Sequence, residues 1–138
     1  MIHNQDVKFG LSIVPQSING TDTNGTGVDT AGYHYALAVF HLGATTADMD
    51  SCAIQESDDN SSWSSDITAL TFSTVPTATD DNGFFACRID LRKRKRYLRW
   101  HCNYGAAATL STAFFILSRA EQSPSTATLA GAVQLLTA

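Results

Sequence analysis

The chain predicts an all-β fold: an antiparallel β-sandwich, jelly-roll-like or Greek-key, with an extended C-terminal tail. Three observations carry this. Apolar residues recur with period two rather than 3.6 along most of the 138 residues. Clusters of Gly, Asn, Asp and Pro interrupt them at spacings of about ten residues. Thr, Ser, Ala, Asp and Gly are abundant while Glu and Lys are scarce, which disfavours long surface helices.

Taken in order, Lys8 to Val14 alternates, with Phe9, Leu11 and Ile13 on one face. Residues 15–32 read as a turn-rich loop containing the pairs Asn19-Gly20 and Asn24-Gly25. Tyr33 to Leu42 is the clearest strand. Tyr33, Tyr35, Leu37, Val39 and His41 line one face; His34, Ala36, Ala38, Phe40 and Leu42 line the other. Both faces are largely apolar, as in a central strand of a sandwich. Met49 to Glu56 follows, with Cys52 and Ile54 inward and Gln55 outward. Residues 57–65 form a polar tip carrying Trp63, and Ile67 to Phe72 reads as short and extended. Phe84 to Leu91 and Tyr97 to Tyr104 read as the next pair of strands. Thr109 to Arg119 is the last long strand. The expected organisation is a single domain over 1–138, with a core at about 8–119 and a tail or subunit-contact arm at 120–138. In that apolar tail, Leu129, Val133, Leu135 and Leu136 are the candidate subunit contacts.

A chain of this length buries roughly 70% of its unfolded surface, enough for an independent core. Hydrophobic residues make up 43% and charged residues 16%, which excludes a disordered chain. No apolar run approaches the length of about 20 residues needed to span a membrane, so no membrane partner is expected. The start Met1-Ile2-His3-Asn4-Gln5-Asp6 lacks the cationic and apolar regions of a signal peptide. Synthesis in a reducing cytosol is the expectation. Cys52, Cys87 and Cys102 read as reduced, mostly buried thiols, with a Cys87–Cys102 bridge as the minor alternative.

Charge is distributed unevenly. Arg88, Arg92, Lys93, Arg94, Lys95, Arg96 and Arg99 account for seven of the nine basic residues, while the chain's net charge is −4. This basic stripe has three readings. It can bind nucleic acid, with Tyr97 and Trp100 stacking on bases. It can meet an acidic protein surface. It can be a solvated hairpin tip that keeps an edge from pairing. The acidic remainder would repel phosphates, which makes nucleic acid an unlikely partner.

Little points to catalysis. There is no G-x-S-x-G elbow and no phosphate-binding glycine motif. His34 and His41 read as half-buried strand histidines. His101 beside Cys102 falls short of the four ligands a zinc site needs. The paired carboxylates in loops read as turn formers. No metal, no cofactor and no enzymatic activity are expected. Trp63, exposed in its loop, could stack on a sugar, though such a Trp more often covers the end of a core.

Three segments carry a resemblance. They are Val28-Asp29-Thr30-Ala31-Gly32-Tyr33, then Ile54-Gln55-Glu56-Ser57-Asp58-Asp59, then Arg96-Tyr97-Leu98-Arg99. In that order, between Val28 and Ser118, they resemble a class of small structural proteins of tailed bacteriophages and prophages. The five consecutive cations Arg92 to Arg96 exceed that pattern. The resemblance implies a virion protein that decorates and cements the capsid surface, often as a homotrimer. The implied partners are the major capsid protein and further copies of the chain. It brings no catalytic residues. On that reading Arg92, Lys93, Arg94, Lys95, Arg96 and Arg99 form the capsid-facing surface. The competing expectation is a carbohydrate-binding β-sandwich of a phage tail or host-attachment apparatus, using Trp63 with Tyr33 or Tyr35.

Overall fold

The computed structural model describes residues 6–106, 108–121, 128 and 130–134. Its strands are β1 (Lys8–Asn19), β2 (Asp22–Asn24), β3 (Val28–Asp29), β4 (Tyr33–Leu42), β5 (Ser51–Ser57), β6 (Phe84–Asp90), β7 (Tyr97–Asn103) and β8 (Ala108–Ala120). All pairings are antiparallel, and they nest. β1 pairs with β8, β2 and β3 with β7, and β4 with β6; β5 meets Thr71 through a single bridge at Ala53. β8 also pairs with β4, and β7 with β5. This rolled ribbon is jelly-roll winding. It produces a sandwich of two antiparallel four-stranded sheets. The first is ordered β1-β8-β4-β6. In the second, β7 lies between β5 and the short strands β2 and β3, which sit end to end.

The core lies between the sheets, where the period-two pattern places it. β4 contributes Ala36, Ala38, Phe40 and Leu42; β8 contributes Ala113, Phe115 and Leu117. Cys52 and Ile54 face them from β5, and Leu98, Trp100 and Cys102 from β7. The small alanines leave room for Trp100. Its ring packs against Phe40 at 5.9 Å and Phe115 at 6.2 Å and stacks parallel to Phe72 at 6.1 Å. Large rings set against small residues allow close packing in low-energy rotamers.

Several boundaries differ from the sequence reading. β1 continues past Pro15 to Asn19. It is an edge strand with register shifts between Leu11 and Gln16, and an edge tolerates the missing proline N–H. The expected loop 15–32 therefore holds the end of β1 and both short strands. The chain crosses between sheets after Asn19, where Gly20 takes a φ of +58°. Residues Thr68–Leu70 form a 3-10 turn rather than an extended segment. β6 and β7 do not pair with each other: the basic segment is a crossover between sheets, not a hairpin tip. Cys102 lies opposite Cys52, with sulfurs 3.5 Å apart, while Cys87 sits in the other sheet, so the Cys87–Cys102 bridge is discarded.

The described part of the tail returns to its own chain. The Phe9 N–H donates to the Ala130 carbonyl at 2.8 Å, and Ala130 is buried. Val133 is fully exposed. Leu129, Leu135 and Leu136 lie outside the described residues.

Candidate functional site

Two surfaces stand out: the corner where the basic segment crosses, and the outer face of the first sheet.

At the corner, the three segments that carry the resemblance meet. Arg96 forms a two-pronged pair with Asp29, at 2.9 and 2.8 Å. The Arg96 carbonyl accepts both the N–H and the hydroxyl of Thr30. Lys95 reaches Asp58 at 2.8 Å, its backbone N–H donates to Glu56, and Arg94 approaches Glu56 at 3.7 Å. Arg92 forks onto Asp90 and donates to the Tyr35 hydroxyl at 3.1 Å. Arg99 donates twice to the Gln55 side-chain oxygen, and its guanidinium lies 4.3 Å from the centre of the Trp63 ring.

Of the six predicted capsid-facing cations, five are thus held by side chains of this same chain. Lys93 is exposed, and among the described residues no ion pair reaches it or Arg88. The acids respond accordingly. The hydrogen bond from Arg96 holds the Asp29 carboxyl below its usual range. Arg92 lowers Asp90 to about 2. Asp59 is held well below its usual value by the backbone N–H groups of Ser62 and Ser61, which shape the Trp63 loop. The corner is therefore a set of clasps joining β3, the end of β5 and the start of β7. Exposed pairs of this kind contribute little individually, but they fix loop geometry.

Trp63 closes over Gly27, where a Cβ would fall within 2.9 Å of the indole ring. One face of the ring is thus taken by Arg99. His34 is partly exposed near Glu121, and His41 stacks on Phe84, so both are strand histidines. His101 is held between Asp66 at 2.7 Å and Asp22 at 3.0 Å. Among the described residues no three His, Cys, Asp or Glu side chains converge where they could hold a metal ion.

The second surface was missed from sequence. Outward positions on the first sheet carry apolar residues on all four strands, interspersed with Arg88, Asp90, Thr112 and Ser118. The apolar ones include Phe9 and Leu11 on β1, Leu110, Phe114 and Ile116 on β8, Leu37 and Val39 on β4, and Phe84 on β6. Phe84 is 67% exposed, Leu11 and Leu110 49%, Phe9 44% and Leu37 37%. Phe84 is held flat against His41, with ring centres 4.4 Å apart. Two hollows indent this face. One of about 530 Å³ lies at Tyr35, Leu37, Arg88, Asp90 and Ser118. The other, about 210 Å³, lies near His41, Asn82 and Leu110. The available signal is the double apolar alternation in β4, which marks both of its sides as apolar.

No family model, no curated protein and no solved structure matches this chain.

Proposed function

We propose that this chain is a non-enzymatic structural protein that works by docking on protein surfaces, and that its role is to decorate and cement a phage capsid at the virion surface. The apolar outer face of the first sheet carries this reading. Contiguous exposed apolar surface on a soluble domain marks a contact site. A jelly-roll scaffold fits a virion protein, since the winding recurs in capsid proteins, though fold alone does not assign function. The corner clasps suit a protein selected for a rigid shape.

The rim then contributes less than its formal charge implies. Five of its cations are already engaged, which leaves Lys93 to meet an acidic shell. The carbohydrate-binding reading is weaker, because Arg99 covers one face of Trp63 and Trp63 borders neither hollow.

The test is co-sedimentation of the purified protein with DNA-free heads of the phage or prophage that encodes it. Saturable binding at a fixed number of copies per head is expected. Absence of binding at micromolar protein would end the decoration reading.

A further inference from the structure

The outer face of the first sheet is self-complementary, and we propose that a second copy of this chain covers it, face to face, about a two-fold axis. The inference rests on the reading of the chain as an assembly protein and assigns its apolar face to a second copy, which leaves the rest of the surface to meet a shell.

The register defines the axis. Leu11 of β1 pairs with Phe114 of β8, Phe114 with Val39 of β4, and Val39 with Ala86 of β6. These four residues form one row across the sheet. A two-fold axis along that row reverses the strand direction and keeps each strand opposite its own copy. It exchanges Phe84 with Arg88, His41 with Leu37, and Thr112 with Ile116, because each pair straddles the row by two residues.

The exchange places a protrusion in a hollow. Phe84 is the most exposed aromatic residue on the face and is fixed by its stack on His41. The site it meets in the second copy is the hollow of about 530 Å³ bordered by Tyr35, Leu37, Arg88 and Asp90. There Arg88, which no ion pair engages among the described residues, can lie over the Phe84 ring. The contact occurs twice, as a two-fold interface requires. An aromatic anchor held rigid before association is the kind of residue that dominates interface energetics.

The area is sufficient. Four strands about 4.8 Å apart and about ten residues long present roughly 600 Å² per copy, or about 1,200 Å² in total. That reaches the lower limit of specific interfaces. The row on the axis is uncharged, so close approach buries no unpaired ion there. Sheets packed this way sit about 10 Å apart with strands nearly aligned.

Light scattering on the full chain and two cysteine substitutions test the proposal. The wild-type protein should have twice the 14.8 kDa chain mass. Phe84→Ser should halve that mass while leaving the thermal midpoint of the monomer fold in place. Residues on the axis meet their own copies across the gap of about 10 Å between the sheets, too far for a disulfide, so Leu11→Cys and Ala86→Cys should each give a covalent dimer with a short bismaleimide cross-linker, while wild type gives none. A monomer, a trimer, or a dimer insensitive to Phe84→Ser overturns the proposal. So does cross-linking at Ala86→Cys without cross-linking at Leu11→Cys, which would mean that β6 edges pair instead. A monomer that still binds phage heads would sink this interface and keep the decoration reading. A dimer that binds none would do the reverse.

Discussion

The Ser12 hydroxyl accepts the Trp100 backbone N–H at 3.1 Å and thereby joins the two sheets. It also donates to the Thr26 carbonyl at 3.0 Å. Between β2 and β3 the strand opposite β7 is interrupted, and Trp100 would otherwise have no acceptor there. Gly25 makes the approach possible, since a Cβ at that position would fall 2.2 Å from the Ser12 oxygen.

Ser12→Ala should therefore cost about 1–3 kcal/mol, because it leaves the buried Trp100 N–H without its acceptor. The measurement is the urea midpoint at unchanged slope. A shift near zero would mean that water replaces the hydroxyl. Gly25→Ala should cost at least as much, since the clash falls on the same bridge.

The Asp29–Arg96 pair predicts a pH dependence. Asp29 has a folded-state pKa below its ordinary 3.8, chiefly through the Arg96 hydrogen bond. A depressed carboxyl stabilises the fold above its unfolded pKa, and the contribution disappears as pH falls through the folded value. Arg96→Ser should lower the urea midpoint at neutral pH. Its gap from wild type should narrow as pH drops from about 4 toward 2. A constant gap across that range would show that Asp29 is not the group involved. Lys93→Ser, which loses no ion pair among the described residues, should leave the midpoint unchanged at either pH.

The clasps also show what could be read from the sequence. The strands Tyr33–Leu42 and Thr109–Arg119 were legible because each alternates over ten or so residues. β2 and β3 were not: they hold three and two residues and exist because β7, some seventy positions later, supplies their partners. The basic run was visible as charge, but its partners were not, since Asp29 lies 67 positions from Arg96. The open face was hidden for a different cause. Apolar alternation on both sides of β4 does not tell whether this chain covers both of them.

Burial predicts the behaviour of the thiols. Cys52 and Cys102 are fully buried, and burial raises the Cys52 thiol well above its ordinary value, with the Cys102 contact adding to it. Burial pushes Cys87 up to about 11. Thiolate is the reactive form, so native protein should alkylate slowly at about pH 8, with Cys87 first. Unfolding in urea should release all three cysteines at once. Mass spectrometry after brief iodoacetamide treatment reads this out. Early modification at Cys52 would contradict the packing around β5 and β7.

The two tryptophans should report separately. Trp100 has no exposed surface, and among the described residues its indole N–H finds no acceptor, so its emission should be blue-shifted and resist acrylamide. Trp63 is partly exposed beneath Arg99 and should supply the quenchable fraction. Arg99→Ala should increase that fraction by uncovering the ring. It should also cost some stability through Gln55, whose side-chain oxygen accepts both Arg99 bonds. Neutral oligosaccharides should leave the Trp63 signal flat in the native chain, because a sugar must displace the guanidinium to stack on the face it occupies. Saturable quenching by one sugar, abolished by Trp63→Ala, would instead make the loop a binding site and bring the carbohydrate reading forward.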